Sequence, residues 1–460
     1  MDITFIGAAR EVTGSCHLVH VNGKTVMLDC GLFQGRRQEA RAKNVQLPVD
    51  PATIDAVVLS HAHMDHAGRL PMLAAHSYGK QIWSTPATRD LCALMLADSA
   101  RIQEKDAEFL ARHHQDAMPP LYTEEDSTKA TSLFCTMPYA QDFSVIDGVR
   151  ASYVDAGHIL GSASVTVDCE EGGRKRRIVF SGDIGRKGMP IIGDPVPPGG
   201  ANVVIMESTY GDRDHGPIDE SREELARVIR DTAAKGGKVL IPAFALGRTQ
   251  EILYDLRNLQ IAGRVPVIPV YIDSPLAISI TDVFRLHPEV FDSTEKMIAT
   301  ATKFLDFPLL TYTPSVEESK ALNSLHGPAI IVAASGMAEA GRILHHLANG
   351  AGDPKNTILI VGYQAENTLG RRIVEKQPLL RIFGQEVPLR ARVEVLNGYS
   401  AHADRTGLRE WLLAVRAKSP ALEQVYLVHG EPPAQAALSA ALTADGFKVS
   451  CPAPHTTVAV

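Results

Sequence analysis

The sequence predicts an α/β protein in which two parts of the chain fold in different ways. Three observations support this prediction. Residues 1–209 are rich in short β-prone runs separated by turns, whereas the chain after residue 210 repeats an apolar strand, a short loop and a helix. The composition, with 45% hydrophobic and 22% charged residues, is typical of a folded, soluble chain. At roughly 150 residues per domain, the 460 residues suffice for two or three domains.

The N-terminal part is predicted to be built on strands, with helices between them. Its first four β-prone runs are ITFIG, HLVHV, KTVMLD and AVVLS. Between residues 86 and 116 apolar residues recur at steps of three and four, which indicates a helix. Four more strand-like runs follow, namely ASYVDA, SASVTVD, RRIVFSGD and VVIMEST, and the last of them ends near residue 209.

The chain after residue 210 is predicted to form parallel α/β units. KVLIPAF precedes GRTQEILYDLRNL, VPVYIDS precedes PLAISITDVFRL, and AIIVAAS precedes GMAEAGRILHHL. In each pair an apolar strand leads through a short loop into a helix, which is the order that a parallel sheet requires. The same order returns from about residue 391 in RVEVLNGYSAHAD and in QVYLVHGEPPAQAALSAAL.

Composition and charge exclude several classes of protein. The six cysteines are few for this length and none stands in CxxC spacing, which excludes a disulfide scaffold. The N-terminus lacks a secretory signal, and the longest apolar runs, such as AIIVAA, are too short to cross a membrane, so a cytoplasmic protein is expected. The net charge of −7 argues against binding nucleic acid by broad electrostatic attraction, so such a role requires a local groove or bound metal ions.

The strongest chemical motif is HAHMDH at residues 61–66, directly after the strand-like run AVVLS. It places His61, His63, Asp65 and His66 in one loop at the carboxyl end of a strand. Imidazole and carboxylate are ligands that zinc takes in proteins, and a site with open coordination positions can be catalytic. The motif therefore predicts a catalytic metal site.

Further candidate ligands stand at the ends of other predicted strands. His158 follows ASYVDA, Asp183 ends RIVFSGD, and His429 ends VYLVHG. Each of these residues alone is more often structural than functional. Together they supply the additional ligands that two neighbouring metal ions need.

These motifs resemble those of a known family. HAHMDH, GHILGS and SGD are similar to motifs of the metallo-β-lactamase superfamily, and ESTYG, GYSAHAD and LVHGE resemble those of its β-CASP nucleases. The resemblance extends from GAAREVTGSCHLV to LVHGE, which is nearly the whole chain. It implies a metallo-β-lactamase αββα sandwich formed by residues 1–209 and 392–460, with a parallel α/β β-CASP cap domain inserted at residues 210–391.

The resemblance also implies a centre with two zinc ions (Zn²⁺) per chain. One ion would take His61, His63 and His158, the other would take Asp65, His66 and His429, and Asp183 would bridge them. Asp29, after KTVML, matches a buried aspartate that orients such ligands through hydrogen bonds, and it is also compatible with an ordinary turn aspartate.

Hydrolysis at such a centre also needs a group that donates a proton to the leaving oxygen, because the metal ions do not supply one. His402, in GYSAHAD, is the candidate general acid because imidazole titrates near neutral pH. Glu207, in MESTY, resembles the acidic residue that pairs with this histidine, and a carboxylate partner would keep the imidazole protonated. The predicted catalytic residues are therefore His402, Glu207 and Asp65.

Contacts to a substrate phosphate are predicted from short loop motifs. Ser335 and Gly336 stand in a strand-to-helix loop, Arg371 stands in TLGR, and Ser400 stands in GYSAHAD. Each motif alone is equally compatible with an ordinary α/β turn. Ser60 receives no role on sequence grounds.

The resemblance implies zinc-dependent hydrolysis of phosphodiester bonds in single-stranded RNA, leaving 5′-phosphate and 3′-hydroxyl ends. A cap over the metal cleft would admit single strands and exclude duplex. The chain ends about 30 residues after His429, without room for the C-terminal extension of RNase J, so endonucleolytic cleavage is expected and 5′→3′ exonucleolytic cleavage is the alternative. The expected partner is single-stranded RNA. No association with a membrane is expected, and assembly into a homodimer is left open.

Three further alternatives stay open at this point. A small-molecule metallohydrolase would explain the metal residues but would leave the insertion and GYSAHAD without a role. A non-catalytic RNA-binding subunit would be expected to have lost ligands, whereas every ligand position is filled here. DNA in place of RNA is also compatible, since nothing in the sequence recognises the 2′-hydroxyl.

Overall fold

A computed structural model of the chain describes residues 1–35, 37–112, 118–292, 305–362, 364–365 and 367–460, with the backbone alone at residues 37 and 397. It divides into two compact units. The first unit comprises Met1–Gly188, Gly193–Asp214 and His402–Val460, and the second comprises Met189–Ile192 and His215–Ala401. The sequence places the corresponding limits at 209/210 and 391/392, so residues 392–401, Ser400 among them, are grouped with the inserted unit in the structure.

The first sheet of the first unit begins as an antiparallel meander. Its strands Cys16–Val21 and Lys24–Leu28 are joined by Asn22-Gly23, whose φ angles of 52° and 72° suit the tight hairpin turn that asparagine and glycine favour. The later strands continue the sheet in parallel. In spatial order the strands are Thr456–Ala459, Asp2–Gly7, Cys16–Val21, Lys24–Leu28, Ala56–Val58, Ile82–Ser84 and Phe134–Thr136.

The second sheet of this unit brings four strand ends to one edge. Val149–Asp155 and Arg174–Phe180 both pair antiparallel with Ala163–Glu171, which lies between them. Val203–Met206 pairs in parallel with Arg174–Phe180, and Gln424–Leu427 pairs in parallel with Val203–Met206. The four strands other than Ala163–Glu171 therefore run in one direction, and the loops after them lie side by side. In spatial order the strands are Val449–Ser450, Gln424–Leu427, Val203–Met206, Arg174–Phe180, Ala163–Glu171, Val149–Asp155 and Phe143–Ile146.

The two sheets pack face to face, and helices cover their outer faces. Val19 and Val58 of the first sheet share one buried core with Val165 and Ile178 of the second. Leu408 and other helical residues pack on the other face of the second sheet. The helices of this unit are Arg37–Asn44, Met64–Ala67, Leu70–Ala75, Pro86–Arg112, Glu124–Ser132, Arg405–Ala417 and Pro432–Ala444, with a 3₁₀ turn at Pro51–Thr53. This is the predicted αββα sandwich.

The second unit contains a six-stranded sheet in which all pairs are parallel. In spatial order its strands are Leu310–Tyr312, Val270–Ile272, Ala329–Ala333, Lys238–Pro242, Thr357–Ile360 and Arg392–Val395, and Leu379–Ile382 pairs with Gln385–Pro388 as a separate hairpin. The helices are Ile218–Ala234, Arg248–Ile261, Pro275–Leu286, Val316–Ala321, Ile343–Gly350 and Leu369–Val374, with 3₁₀ turns at Pro288–Val290, Leu322–Ser324 and Asn397–Tyr399.

One helix begins later than the sequence pattern predicts, and the predicted end of another lies outside the described residues. The helix predicted at 86–116 is described over Pro86–Arg112, and the prediction for residues 113–116 lies outside the described part. The helix expected directly after AIIVAAS begins only at Ile343, because residues 335–341 form a turn with Gly341 at φ 81°. Among the described residues, none of the helices is long and apolar enough to cross a membrane.

Candidate metal and catalytic site

The loop of residues 61–66, which we call the ligand loop, is held by backbone contacts from two neighbouring segments of the first unit. Ser15 donates its N–H to the carbonyl of Asp65 at 2.8 Å, and Cys30 donates to the carbonyl of His66 at 2.7 Å. The chain passes so close at Gly31 that a Cβ there would lie 1.6 Å from the carbonyl oxygen of Asp65. Only glycine allows this approach, so the loop is fixed by the backbone around it.

A second close approach joins the loops that carry His158 and Asp183. Gly185 donates its N–H to the carbonyl of Ala156 at 2.7 Å, and a Cβ at Gly185 would lie 1.7 Å from the carbonyl oxygen of Gly157. These loops follow strands that run in the same direction, so their side chains reach the same edge of the second sheet.

The first cluster at this edge contains His61, His63, His158 and Asp183. Nδ1 of His63 lies 3.2 Å from Nε2 of His61 and 3.1 Å from Nε2 of His158. Oδ2 of Asp183 lies 3.5 Å from the Nε2 atoms of both His61 and His158. Four potential ligand atoms thus surround one small volume.

The second cluster uses the other oxygen of the same aspartate. Oδ1 of Asp183 lies 3.3 Å from Nε2 of His66, and that nitrogen lies 3.1 Å from Nε2 of His429. Oδ2 of Asp65 lies 3.5 Å from Nε2 of His429. The structure therefore brings together all seven predicted ligands, with Asp183 between the two groups.

The donor atoms in both clusters fit zinc in type and spacing. Zinc–nitrogen bonds of about 2.0–2.1 Å in tetrahedral geometry place two ligand atoms about 3.3 Å apart. The nitrogen–nitrogen and nitrogen–oxygen distances of 3.1–3.5 Å lie around that value. In addition, buried Oδ1 of Asp183 accepts no hydrogen bond from any described residue, although buried polar atoms are normally satisfied. A cation between the clusters would satisfy it.

Hydrogen bonds from outside the clusters orient several of these rings. Asp29 is fully buried, and its Oδ2 lies 2.6 Å from Nδ1 of His66. Ser60 donates its hydroxyl to Asp29 at 2.9 Å and lies 3.0 Å from Nδ1 of His61. Oγ1 of Thr209 lies 3.1 Å from Nδ1 of His429. In each case the outer nitrogen is held and Nε2 faces the cluster, as in many metal sites.

Ser60 and Thr209 are supporting residues that sequence reasoning missed. A serine or threonine at the end of a strand is too common to be informative. The signal that was available is position, because Ser60 directly precedes the ligand loop and Thr209 directly follows the Glu207-Ser208 pair.

Burial and charge set the protonation of the clustered groups. Burial lowers the pKa of His61 and His158 well below the ordinary value, so both are neutral at pH 7, the form in which imidazole binds metals. Burial opposes the charge of Asp183, but the adjacent His429 and His66 outweigh it and hold the pKa of that carboxyl well below its usual range. The carboxylate is therefore ionised, which is the form that binds metal ions.

His402 lies beside the clusters in the first unit and contacts Glu207. Its Nδ1 is 3.2 Å from Oε1 of Glu207 and 3.9 Å from Oδ2 of Asp183. Glu207 is completely buried and also accepts hydrogen bonds from the N–H groups of Ile184, at 2.7 Å, and Thr209, at 3.2 Å. Burial opposes the charge of His402, but the carboxylates of Glu207 and Asp183 outweigh it and raise the pKa of His402 to about 9.

The four predicted phosphate contacts lie in the second unit. Ser335 and Gly336 share the turn after the strand Ala329–Ala333, and the N–H of Gly370, next to Arg371, donates to the carbonyl of Met337 at 3.0 Å. The guanidinium of Arg371 donates to Glu375 at 2.7 Å, which offsets part of its charge. Ser400 is buried just after the 3₁₀ turn Asn397–Tyr399. Ser335, Gly336 and the segment of Arg371 are thus brought together.

Comparison with known families identifies the chain. The profile described as the metallo-beta-lactamase superfamily matches residues 9–243, and the Beta-Casp domain profile matches residues 249–373. A third profile, described as a Zn-dependent metallo-hydrolase RNA specificity domain, matches residues 386–452. The chain belongs to the β-CASP ribonucleases of the metallo-β-lactamase superfamily. This confirms the family, the fold class and the metal-dependent hydrolase expected from the sequence.

Individual β-CASP proteins and related chains are similar over most of this sequence. Ribonuclease TTHA0252 of Thermus thermophilus is 38% identical over 98% of each chain. An RNase J-like protein of Methanocaldococcus jannaschii is 31% identical over 93% of this chain and 92% of its own. Endoribonuclease ysh1 of Schizosaccharomyces pombe is 30% identical over 95% of this chain but only 55% of its own length.

A solved structure shares the β-CASP chain's fold at low sequence identity. The crystal structure of a protein of unknown function from Enterococcus faecalis V583 matches with a TM-score of 0.53 and 11% identity, over 100% of this chain and 99% of the other. The similarity supports the architecture described above.

Proposed function

We propose that this protein uses two zinc ions to hydrolyse phosphodiester bonds within single-stranded RNA, leaving 5′-phosphate and 3′-hydroxyl ends. The observation that carries the proposal is the division of seven ligands into two clusters that share Asp183 through different oxygens. Two-metal sites of this kind are common in enzymes that cleave phosphodiesters.

Each residue of the clusters has a defined task in this proposal. His61, His63, His158 and Oδ2 of Asp183 would hold one ion. Asp65, His66, His429 and Oδ1 of Asp183 would hold the other. When bound, the two ions would lower the pKa of a water and neutralise charge on the scissile phosphate. Asp29, Ser60 and Thr209 keep the imidazole rings aimed into the site.

The leaving oxygen would receive its proton from His402. Glu207 holds Nδ1 of His402, so the ring is oriented and Nε2 is the atom that we assign to proton transfer. Glu207 is itself fixed by two backbone N–H groups, which leaves the imidazole little freedom to turn away. General acids of this kind contribute about 10²–10⁴-fold to the rate.

The RNA substrate is supported by family membership and by the names of the relatives. The RNA specificity profile covers residues 386–452, which include Ser400 and His402. Two of the relatives are named as a ribonuclease and an endoribonuclease. Ser335, Gly336, Arg371 and Ser400 would contact the phosphates of the strand.

A matched pair of RNA substrates tests this proposal. One single-stranded sequence is prepared as a 5′-labelled linear strand and as a closed circle, and each is incubated with zinc-loaded protein and with the Asp183→Ala variant. We expect the wild-type protein to cut both forms and the variant to cut neither. New 5′ ends should accept label from polynucleotide kinase only after phosphatase treatment, because they carry a phosphate.

The outcomes separate the alternatives. Degradation of the linear strand with an intact circle over the same time course would replace endonuclease by 5′→3′ exonuclease activity. Cleavage of a DNA strand of the same sequence at equal rate would remove the preference for RNA. Hydrolysis of small esters with no cleavage of either RNA would favour a small-molecule metallohydrolase.

A further inference from the structure

Phe244 is an exposed aromatic side chain at the carboxyl edge of the parallel sheet in the second unit. It is 43% exposed and follows the strand Lys238–Pro242. Pro242 pairs with Ala333 in the neighbouring strand, and the N–H of Ala243 donates to the carbonyl of Ala333 at 3.1 Å. The register therefore sets Phe244 beside Ser335, at the turn that contains two of the predicted phosphate contacts.

The ring of Phe244 rests on the backbone of Gly336. A Cβ built at Gly336 would lie 2.6 Å from Cδ2, 2.8 Å from Cε2 and 2.9 Å from Cγ of the phenyl ring. Any side chain at position 336 would therefore displace the ring. The carbonyl of Phe244 accepts hydrogen bonds from the N–H of Thr249, at 3.2 Å, and from its hydroxyl, at 2.8 Å. The backbone of Phe244 is thus held by Thr249, and its partly exposed side chain lies against Gly336.

The turn beneath the ring contains backbone N–H groups that have no hydrogen-bond partner among the described residues. The backbone N–H groups of Gly336 and Met337 donate to no residue within the described part of the chain. Their carbonyls are engaged, since Gly336 accepts from Gln364 at 3.1 Å and Met337 accepts from the N–H of Gly370 at 3.0 Å. The hydroxyl oxygen of Ser335 accepts from two N–H groups, at 3.1 and 3.2 Å, which leaves its hydrogen to donate. Such a turn suits an anionic oxygen.

We infer that Phe244 is a stacking platform for an unpaired base of the RNA strand. One ribose joins the phosphate and the base of a nucleotide, so the two groups lie close together. The turn at residues 335–337 could therefore bind the phosphate while the adjacent ring of Phe244 stacks on the base of the same nucleotide. A phenyl ring stacks on any base and cannot do so when the base is paired within a helix. This inference rests on the proposed function and adds to it the residue that selects single strands.

The other exposed phenylalanines in the described part of the chain have no such setting. Phe109 is 58% exposed and lies on the helix Pro86–Arg112. Phe383 is also 58% exposed, but it lies in the hairpin turn between Leu379–Ile382 and Gln385–Pro388, where its ring contacts His345 with centroids 4.6 Å apart. Phe383 therefore provides a matched control in the same unit.

The experiment measures binding in a background that cuts slowly and retains the metal ligands. In His402→Ala protein loaded with zinc, a single-stranded RNA is scanned with 2-aminopurine, whose fluorescence falls when the base stacks on an aromatic ring. We expect quenching at one position, its loss in Phe244→Leu, and its retention in Phe244→Trp and Phe383→Leu. Phe244→Leu should weaken binding about tenfold to a hundredfold, since stacking of one base has that size.

A double cycle then decides whether the ring and the base act on each other. In protein with native Phe244, removing the base at the quenched position should lower the affinity for RNA as much as Phe244→Leu does. In the Phe244→Leu protein, removing the same base should not lower the affinity any further. Full addition of the two losses would overturn the inference, as would binding by Phe244→Leu equal to that of Phe383→Leu. Circular dichroism and Phe244→Trp exclude misfolding as the cause.

Cleavage kinetics of protein with native His402 distinguish failure of the inference from failure of the proposed function. If protein with native His402 does not cleave RNA, the proposed function is wrong whatever Phe244 does. If it cleaves RNA and Phe244→Leu raises KM no more than Phe383→Leu, the stacking platform alone is wrong. We expect a higher KM for Phe244→Leu, with a much smaller change in kcat.

Discussion

Asp183 and Asp273 are both buried aspartates that follow a strand and lie next to histidine, yet their surroundings differ. Asp273 comes directly after Val270–Ile272 in the second unit. One of its oxygens accepts from Thr313 at 2.8 Å and Arg342 at 2.7 Å, and the other accepts from Ser319 and lies near Nε2 of His346, both at 2.6 Å. Asp183 has histidine nitrogens at 3.3–3.9 Å instead, and its Oδ1 accepts no hydrogen bond from the described residues.

The difference separates a structural site from a binding site. Around Asp273 the donors have closed to hydrogen-bond distance and fill the capacity of both carboxylate oxygens, so nothing further can enter. Around Asp183 the ligand atoms stay at the spacing that an ion between them would impose. A buried carboxylate with histidine neighbours is therefore not enough to predict a metal site, because the distances and the unsatisfied oxygen decide.

The largest effect is expected from removing the shared ligand at Asp183. Asp183→Ala should lower zinc content well below two ions per chain and reduce RNA cleavage roughly 10⁴-fold, since several kcal/mol of charge stabilisation are lost and each 1.4 kcal/mol is tenfold. Elemental analysis of the purified protein measures the metal content. His402→Ala is the control and should keep the wild-type content. Full zinc occupancy in Asp183→Ala would contradict the bridging assignment.

A smaller effect is expected from His402, which contacts the clusters without being assigned as a ligand. His402→Ala should lower kcat about 10³-fold while KM for RNA changes little. Glu207→Gln should act in the same direction but less severely, because it weakens the orientation and charge of His402 without removing the imidazole. Steady-state kinetics on a labelled single strand measures both. Wild-type turnover by His402→Ala would mean that another group supplies the proton.

The smallest effect on catalysis and a large effect on stability are expected at Asp273. Asp273→Asn should lower the free energy of unfolding at pH 7 by about 3 kcal/mol, because it removes the buried carboxylate that pairs with the partly buried Arg342. Burial opposes the charge of Asp273, but His346 and the other donors outweigh it and lower the pKa to about 2. Urea unfolding of metal-free protein measures the difference, with exposed Glu375→Gln as a control that should leave the midpoint nearly unchanged.

The stability difference between wild type and Asp273→Asn should depend on pH, and the direction follows from the lowered pKa of Asp273. Because the pKa of Asp273 is lower in the folded protein than its ordinary value of 3.8, the stabilisation is fully present above about pH 4 and is lost as the pH falls toward 2. The difference between wild type and Asp273→Asn should therefore be smaller at pH 3 than at pH 7. An unchanged difference would show that the carboxylate charge does not contribute.

The sequence predicts which side chains gather around Asp183 far better than it predicts those around Asp273. The ligand loop could be found because its four candidate ligands lie within six residues, and His158, Asp183 and His429 follow strands that end at one edge. Asp273 stands at a strand end just as Asp183 does, so position at a strand end does not separate them. Its partners Thr313, Ser319 and His346 are 40, 46 and 73 residues away, and only the folded chain brings them together.

The same limit explains the other differences between prediction and structure. Ser60 and Thr209 act through hydroxyl groups whose partners are fixed by tertiary packing, so their roles have no sequence period. The helix begins late, at Ile343, because residues 335–341 form a turn although their sequence pattern predicts a helix. The contact of Phe244 with Gly336 joins two loops that are 92 positions apart in the sequence.

Gly31 and Gly185 have a consequence for how this chain tolerates random mutation. Even a single methyl group at either position would meet a backbone carbonyl oxygen within 2 Å, and the loops displaced by it carry His66 and His158. A genetic screen for metal loss should therefore recover conservative glycine-to-alanine changes at both positions together with changes of the ligands. The geometry of the candidate metal site therefore depends on two residues that offer it no side chain.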